Sequence, residues 1–398
     1  MKIAIISTLM FDTSIGGVEN HLRFMSKEFQ KLGHEIKIFK PVWKHEYMDS
    51  NRVVDGVEIE YINMGKMPVD FRKFSGGKIL KYLPGFLNKS MYMLSYKKVV
   101  TSISKYNPDL VWQHDFSANL LSTKRLSKKY PTVLTNHTGE YLMIQNNSIL
   151  SKTLPRLLKH YSAVIGPSIE LTPQTHKFSA TIHNGVDTEQ FYPLAVEEKD
   201  LLKKETLKEA DNKFVIFCPR RWAPTKGIYY LAEAIRRIDK HPNIAGEIVV
   251  AFAGSDYEGY PLYADEVNEV LKHVQNVQIE KLGNVAVYDM IKYYQMSDLV
   301  IIPSLMEAVS LSAVESMACG TPVLSTNVGG MPELINDNID GFLVNAKSSD
   351  EIADKILELY NNKETLNEVS KNCYQKVLEK YDWSAIAKET EHVLKQTL

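Results

Sequence analysis

Short apolar runs alternate with amphipathic helical segments along the whole chain, and this alternation restricts the fold more than any other feature. In the first half, the segments that predict buried strands are KIAIIS, EIKIFKPV and residues 109–114, 132–137 and 163–168. Between the first two strands, Val18, Leu22, Met25 and Phe29 recur at helical spacing, and a further helix is expected near 150–161. Strands separated by helices are typical of βαβ units, so a parallel sheet is predicted.

The second half repeats this pattern without repeating the sequence. Its predicted strands are residues 213–218, 247–254, 278–283, 298–304, 322–326 and 341–344, and GIYYLAEAIRRI is a predicted helix. A chain of 398 residues exceeds the usual size of one hydrophobic core. The sequence therefore predicts an α/β protein with two doubly wound parallel sheets, in domains 1–188 and 189–378. The turn signal Asn184-Gly185 and the charged segment after Pro193 indicate that boundary.

Composition and charge narrow the class of protein. Hydrophobic residues make up 44% and charged residues 24%, and no run of about 18 apolar residues occurs, so no membrane-spanning helix is expected. Three widely spaced cysteines argue against a disulfide framework and for a reducing, cytoplasmic compartment. Residues 1–188 hold 25 Lys and Arg against 15 Asp and Glu, whereas the remainder holds 22 against 33. Either the first half meets an anionic partner, or two complementary surfaces face each other.

The loop after the first strand reads SIGGVEN. Gly16 and Gly17 can let backbone N–H groups approach an oxyanion at the start of a helix, although a plain tight turn explains the pair equally well. The pattern G-x-G-x-x-G is absent, which argues against a dehydrogenase, and no Walker-type phosphate loop occurs.

The loop after the strand at 213–218 reads PRRWAPTKG. Arg220 and Lys226 supply a planar guanidinium and a mobile ammonium at the carboxyl end of a strand, which suits a diphosphate. Arg221 is an alternative for the first role, and a solvated basic turn is the simpler interpretation.

The segment PSLMEAVSLSAVESMACGTP places Glu307 and Glu315 eight residues apart, close to two helical turns. Glu307 is expected in the loop before a helix and Glu315 inside it, with both carboxylates towards one side. A carboxylate accepts two hydrogen bonds and so can hold a vicinal diol such as ribose. The N–H groups near Leu311 and Ser312 would face phosphate. Two surface glutamates would fit poorly with such apolar neighbours.

Several of these segments, taken in order, resemble the retaining glycosyltransferases of family 4, which have the GT-B fold. The segments that carry the resemblance are GGVENHLRFMSKEFQKLGHEIKIF, HNGVD, RRWAPTKGIYYLAEAI, E-x7-E followed by SMACGTPV, VGGMPELINDNIDGFLV and YDWSAIAKE. The resemblance implies two Rossmann-like domains facing a central cleft, and a closing helix, residues 379–398, that crosses back to the first domain.

The resemblance also implies roles for individual residues. Glu315 would bind ribose, Glu307 would contact the donor sugar, and Arg220 and Lys226 would neutralise the diphosphate so that no metal or other cofactor is needed. His137 would lie beside the donor sugar, with His114 a weaker candidate. The remaining donor-binding positions implied are Gly16, Gly17, Leu282, Leu311 and Ser312.

One departure from the family pattern concerns the donor. The family has E-G-x-G-L where this chain has Glu307-Ala308-Val309-Ser310-Leu311, and the added side chains can reshape the sugar pocket. The expected reaction is transfer of a sugar, with retention, from a nucleotide-diphosphate donor, UDP-sugars being commonest in the family. Retention fits a front-face route without an enzymatic nucleophile.

The acceptor is expected to be a glycan or a lipid-linked hydroxyl. Residues 66–98 hold eight Lys and Arg and one Asp interleaved with apolar residues, which suits an anionic membrane surface at the inner face of the membrane or, alternatively, an acceptor cleft. No nucleic-acid partner is expected. A non-catalytic partner subunit, a nucleotide-sugar epimerase or a phosphorylase on the same fold remain alternatives.

Overall fold

The computed structural model describes residues 1–8, 17–43, 51–66, 91–114, 116, 118–137, 140–148, 150–207, 210–254, 259–307 and 309–398. These residues form two compact units. The first contains residues 1–184 together with 386–398, and the second contains residues 185–385.

The first unit is built on an eight-stranded sheet. Its strands are β1 (Lys2–Ile6), β2 (Glu35–Val42), β3 (Arg52–Val54), β4 (Val57–Asn63), β5 (Leu110–Gln113), β6 (Thr132–Thr135), β7 (Ala163–Gly166) and β8 (Ser179–Thr181). They lie in the order β3-β4-β2-β1-β5-β6-β7-β8. All neighbours are parallel except the β3–β4 hairpin. The parallel sheet predicted for this half is confirmed.

The second unit contains a six-stranded, entirely parallel sheet. Its strands are β9 (Phe214–Pro219), β10 (Ile248–Ala253), β11 (Gln278–Gly283), β12 (Leu299–Ile302), β13 (Val323–Thr326) and β14 (Phe342–Val344). The order is β11-β10-β9-β12-β13-β14. Each of the six predicted strands of this half is present, so the second doubly wound sheet is also confirmed.

Helices connect the strands. In the first unit they are α1 (Gly17–Lys31), α2 (Tyr96–Tyr106), α3 (Leu120–Leu126), α4 (Glu140–Gln145) and α5 (Leu154–Leu158). In the second unit they are α6 (Val196–Thr206), α7 (Ile228–Ile238), α8 (Pro261–Leu271), α9 (Val287–Met296), α10 (Leu311–Ala318), α11 (Met331–Leu334), α12 (Ser349–Asn361) and α13 (Lys363–Lys380). The last helix, α14 (Trp383–Lys395), runs from the second unit into the segment that belongs to the first.

The strand β9 shows why the central strands read as continuous apolar runs. All six of its residues are buried. Ile216 packs in the core that contains Leu231 and Ile235 of α7, whereas Phe217 packs in the core that contains Val314 and Met317 of α10. Because neighbouring residues of a strand point to opposite faces, a strand covered on both faces has no position left for a polar residue.

The β3–β4 hairpin was not among the predicted strands. Its turn is Asp55-Gly56, and both residues have positive φ, 52° and 80°. An Asp-Gly pair between two apolar stretches is the strongest short-range signal for a hairpin. The segment RVVDGVEIEYIN therefore predicts this hairpin from sequence alone.

Helix boundaries were predicted with mixed success. The helix expected near 150–161 is shorter, since a 3₁₀ turn over Leu150–Thr153 precedes α5 and the helix ends at Leu158. The expected closing helix, residues 379–398, is shorter as well: α14 covers Trp383–Lys395 and begins after Asp382, whose Oδ1 accepts a hydrogen bond from the Ser384 N–H at 2.8 Å, as a helix cap does.

Two further sequence-based expectations can be checked against the fold. Within the described part of the chain, no helix is both long and apolar enough to cross a bilayer. Cys218, Cys319 and Cys373 are all buried free thiols.

Candidate active site

The strand order of the second sheet identifies one position on its edge as a candidate ligand site. Counted in chain order, its strands lie 3-2-1-4-5-6, so the order reverses between β9 and β12. In open α/β sheets, ligands bind outside the carboxyl ends of the strands at this switch point. Arg220 directly follows β9, and Ser304 and Glu307 follow β12. The predicted cationic and acidic residues therefore meet at the position that the fold favours for a ligand.

Glu307 is the centre of a charged cluster at this edge. Its Oε2 accepts hydrogen bonds from Lys226 Nζ at 2.8 Å and from Ser304 Oγ at 3.1 Å, and it forms an ion pair with Arg220 Nη2. Arg220 also donates from Nη1 to Ser310 Oγ at 3.2 Å and from Nη2 to Ser304 Oγ at 3.3 Å. The Arg220 and Glu307 side chains are only 9% and 13% exposed. Two cations thus share one carboxylate in a partly desolvated site.

The two loops that carry this cluster are tied together through their backbones. The N–H groups of Leu305 and Met306 donate to the Thr225 carbonyl at 2.8 and 3.3 Å. Gly227 has φ +67°, and a Cβ at this position would lie 1.8 Å from the Pro303 carbonyl oxygen. Only glycine fits here, for both its backbone conformation and the close approach of the second loop.

The structure distinguishes Arg220 from Arg221. The Arg220 side chain is buried and bonds the cluster through both Nη atoms, whereas Arg221 is exposed. Burial, followed by the nearby charge of Arg220, lowers the pKa of Lys226, and the hydrogen bond to Glu307 opposes this shift. An added anion would therefore be favoured here, because it would relieve the repulsion between the two cations.

Glu315 lies in α10, and its carboxylate accepts a hydrogen bond from the Tyr294 hydroxyl at 2.8 Å. Burial raises the pKa of Glu315, although the Tyr294 hydroxyl and the charge of Arg220 act in the opposite direction. Burial also raises the pKa of Tyr294 well above its usual range. Arg220 thus bonds Glu307 and acts electrostatically on Glu315.

The remaining predicted positions of this unit lie around the same helix. Leu311 and Ser312 are the first two residues of α10, and the Ser312 side chain hydrogen-bonds the Tyr294 hydroxyl. Leu282 lies near the carboxyl end of β11 and is partly buried against the core that contains α10. Ala308 lies outside the described residues.

Two family models together match most of the chain. The model for "Glycosyl transferases group 1" matches residues 199–376, and the model for "Glycosyltransferase Family 4" matches residues 15–190. The chain is a GT-B glycosyltransferase of the family 4 type.

Full-length and partial relatives agree with this assignment. An uncharacterized glycosyltransferase of Methanocaldococcus jannaschii is 27% identical over 99% of this chain and 98% of its own length. The Escherichia coli UDP-Gal:alpha-D-GlcNAc-diphosphoundecaprenol alpha-1,3-galactosyltransferase is 29% identical over 50% of this chain and 49% of its own. Among solved structures, Anabaena HepE in complex with UDP-glucose has a TM-score of 0.68 at 20% identity, covering both chains completely.

The first unit of this glycosyltransferase gathers three histidines. His137 follows β6, His114 follows β5, and His21 lies in α1. His114 Nδ1 and His137 Nε2 are 3.0 Å apart, and the ring centroids of His21 and His137 are 4.6 Å apart. Burial lowers the pKa of His21 to about 4 and holds the pKa values of His114 and His137 well below 6.5. All three imidazoles are therefore neutral at physiological pH.

The glycine pair of the first loop is only partly described. Gly17 is the exposed first residue of α1, and Gly16 lies outside the described residues. The same applies to residues 67–90, which make up most of the basic segment proposed to meet a membrane.

Sequence reasoning missed several polar residues of the glycosyltransferase site. Ser304 and Ser310 flank Glu307 in a segment that was already of interest, and their hydroxyls hold Arg220. Tyr294 lies 21 residues before Glu315 on another helix, so no local pattern could have paired them. His21 could have been found from its position in the helix after β1, facing the strand ends that carry the other two histidines.

Proposed function

We propose that this glycosyltransferase uses the Arg220–Glu307–Lys226 cluster, with Glu315 beside it, to bind and activate a nucleotide-diphosphate sugar. The observation that carries this proposal is the meeting of Arg220 and Lys226 with Glu307 at the switch point of the second sheet, with Glu315 in the helix that follows. Arg220 and Lys226 take the diphosphate, Glu315 takes the ribose hydroxyls, and Glu307 takes a hydroxyl of the donor sugar. Leu282, Leu311, Ser312, Gly16 and Gly17 complete the donor-binding set.

Donor binding in this proposal is an exchange of partners. Without the donor, Glu307 neutralises part of the positive charge of Arg220 and Lys226. A diphosphate brings more negative charge than one carboxylate, so both cations turn to it and the Glu307 carboxylate is freed to accept from a sugar hydroxyl. The Ser304 and Ser310 hydroxyls keep the guanidinium in place during this exchange.

The chemical step is loss of the nucleoside diphosphate from the anomeric carbon. Negative charge develops on the leaving phosphate oxygen, and two fixed cations together with the N–H groups at the start of α10 stabilise it without a metal ion. We propose retention through front-face attack, in which the acceptor hydroxyl adds on the side that the diphosphate leaves and the departing oxygen takes its proton. His137 remains the candidate for an additional contact to the donor sugar.

Two similar proteins support a choice of donor class and of acceptor class. A structural neighbour was solved with UDP-glucose, and the E. coli relative is named for a UDP-sugar donor and a lipid-diphosphate acceptor. We therefore propose a UDP-sugar donor and a glycan or lipid-linked acceptor, in the synthesis of a cell-surface glycan.

We further propose that the enzyme works in the cytoplasm and docks peripherally on the inner face of the membrane through residues 66–98. The charge of that segment predicts binding to anionic vesicles at low salt and release at high salt. No binding to anionic vesicles at low salt would contradict the docking proposal while leaving the transferase proposal intact.

The decisive experiment measures nucleotide release from UDP-, GDP- and other activated sugars, together with thermal shifts caused by the free nucleoside diphosphates. A UDP-sugar is expected to be turned over and UDP to stabilise the protein, because a ligand that binds only the native state raises its stability. Glu315→Ala should abolish the shift. Glu368→Ala, on the exposed face of α13, is the matched control and should retain it. Failure of every nucleotide to bind or turn over would refute the proposal.

A further inference from the structure

The first unit contains a cluster of histidines that the donor chemistry does not require. His21, His114 and His137 each offer one ring nitrogen, and these three nitrogens all lie within 4.8 Å of one another. His21 and His114 are 4% and 1% exposed, and His137 is partly buried. Three converging imidazoles with little solvent access are uncommon without a ligand, because each ring brings polar nitrogens that must be satisfied.

The topology explains why these rings meet. In the first sheet, the parallel strands β4-β2-β1-β5-β6-β7-β8 again reverse their order, here between β1 and β5. His114 follows β5, His137 follows β6, and His21 lies in the helix after β1. The cluster therefore occupies the ligand-binding edge of the first sheet, as the charged cluster does in the second.

One ring is already oriented by an outer partner. His21 Nδ1 lies 3.2 Å from Asn184 Oδ1. An amide oxygen only accepts, so the proton is on Nδ1 and the lone pair is on Nε2. A histidine that binds a metal usually donates its other ring N–H to an oxygen acceptor in this way, which fixes both tautomer and ring orientation.

A second ring has a nitrogen that the described residues leave unsatisfied. His114 Nδ1 pairs with His137 Nε2, but His114 Nε2 is buried and has no hydrogen-bond partner among the residues that the structure describes.

We propose that His21, His114 and His137 form a binding site for one Zn²⁺ ion. Three imidazoles with a water in the fourth position are an established ligand set for zinc, at Zn–N distances of about 2.0–2.1 Å. In a tetrahedral site the nitrogens lie ~3.4 Å apart. The three nitrogens lie within 4.8 Å of one another, so the rings have to approach by at most about 1.4 Å. This ion is not needed to neutralise the diphosphate, because Arg220 and Lys226 supply that charge.

Occupancy of this site has a consequence for catalysis that rests on the proposed function. A His137 ring held by zinc is not available to the donor sugar, so Zn²⁺ at saturating concentration inhibits transfer, whereas removal of metal by a chelator leaves transfer intact.

The test titrates untagged protein with Zn²⁺ by calorimetry, with Co²⁺ as a spectroscopic probe of tetrahedral coordination. We expect one ion per chain and an affinity at least tenfold weaker in His21→Gln. Glutamine can still reach Asn184 but supplies no imidazole. His160→Gln, a partly exposed histidine of the same unit, is the control and should bind as the wild type does.

Imidazole NMR of the wild-type chain keeps the test independent of variant folding. Zn²⁺ should shift three of the eleven histidines, and these should be the three named here. Absence of a one-to-one complex, or shifts confined to other histidines, would overturn the site. Zinc binding without inhibition would overturn only the assignment of His137 to the donor sugar, since binding is measured without any nucleotide.

Discussion

Glu307 and Glu315 both lie close to Arg220, but their surroundings differ. Glu307 has two cationic partners and a serine hydroxyl. Glu315 has the neutral Tyr294 hydroxyl as its hydrogen-bond partner, and burial dominates its pKa. The cations and the hydroxyl around Glu307 stabilise its negative charge. Burial of Glu315, by contrast, disfavours the charged form of its carboxyl. This difference agrees with a role for Glu315 in binding a ligand rather than in stabilising the fold.

The raised pKa of Glu315 predicts how stability responds to pH. A carboxyl whose pKa is higher in the folded state stabilises the protein fully below its unfolded value, near 4.5, and loses this contribution as pH rises through the folded pKa. Glu315→Gln keeps an acceptor for Tyr294 without a charge. We expect its melting temperature to exceed that of the wild type at pH 7, with the difference vanishing as pH falls towards 4.5.

The same variant should lose affinity for the donor, because a neutral amide holds a ribose diol less well than a carboxylate does. Calorimetric binding of UDP at pH 7 measures this loss alongside the melting curves. Lower stability of Glu315→Gln at pH 7 would contradict the assignment of burial as the main influence on this carboxyl.

The planar guanidinium of Arg220 bonds three side chains of the site at once. Arg220→Lys keeps the charge but loses the fork that bonds Glu307, Ser304 and Ser310 together. We expect kcat/KM for the donor to fall by about 100-fold, as when a fixed donor to a developing anion is removed.

Arg221→Lys is the matched control for that change, since Arg221 is the exposed neighbour. It should leave kcat/KM within a factor of two or three of the wild type. Equal losses in the two variants would indicate a general effect of basic charge in this loop.

At the scale of elements, the site depends on close contact between the loop that follows β9 and the loop that follows β12, which Gly227 makes possible. Gly227 and Gly246 both have positive φ, +67° and +76°, but only Gly227 has another loop where a Cβ would stand. Gly246→Ala is expected to cost about 1 kcal/mol from backbone conformation alone. Gly227→Ala should cost about 1–3 kcal/mol more, because Pro303 must move.

Urea unfolding of the two variants separates these contributions. Gly227→Ala should also weaken donor binding, since Lys226 and Glu307 lie on the two loops that it separates. The interpretation fails if the two variants unfold at the same urea concentration.

The elements differ in how far their sequences predicted them. β9 and α10 were predicted because a doubly covered strand is continuously apolar and a helix has its own period, so local sequence carries the signal. Arg220 was predicted at the carboxyl end of a strand and Glu307 in the loop before a helix, but the ion pair between them was not predicted. The Tyr294–Glu315 bond and the approach of His21 to His137 arise from packing between distant segments, which no local period encodes.

At the scale of the whole molecule, the first unit is discontinuous in sequence, since residues 386–398 pack with residues 1–184. Leu394 in this segment is fully buried, and His34 Nε2 lies 2.6 Å from Glu391 Oε1. Leu394→Ala should destabilise the first unit by about 2–5 kcal/mol, as a buried truncation does. Leu398→Ala, 62% exposed, is the control and should stay within about 0.5 kcal/mol of the wild type.

Hydrogen exchange followed by mass spectrometry can assign that loss to a unit. Leu394→Ala should raise exchange across the strands of the first sheet and leave the second sheet unchanged. Faster exchange in β9 and β12 alone would contradict the assignment of residues 386–398 to the first unit.

This discontinuity has a consequence for the order of events on the ribosome. Domains generally fold as they emerge, the N-terminal one first. Here the segment 185–385 is continuous, whereas the unit that contains residues 1–184 also needs residues 386–398, which are synthesised after the whole of the second unit. The domain synthesised first is therefore the one completed last.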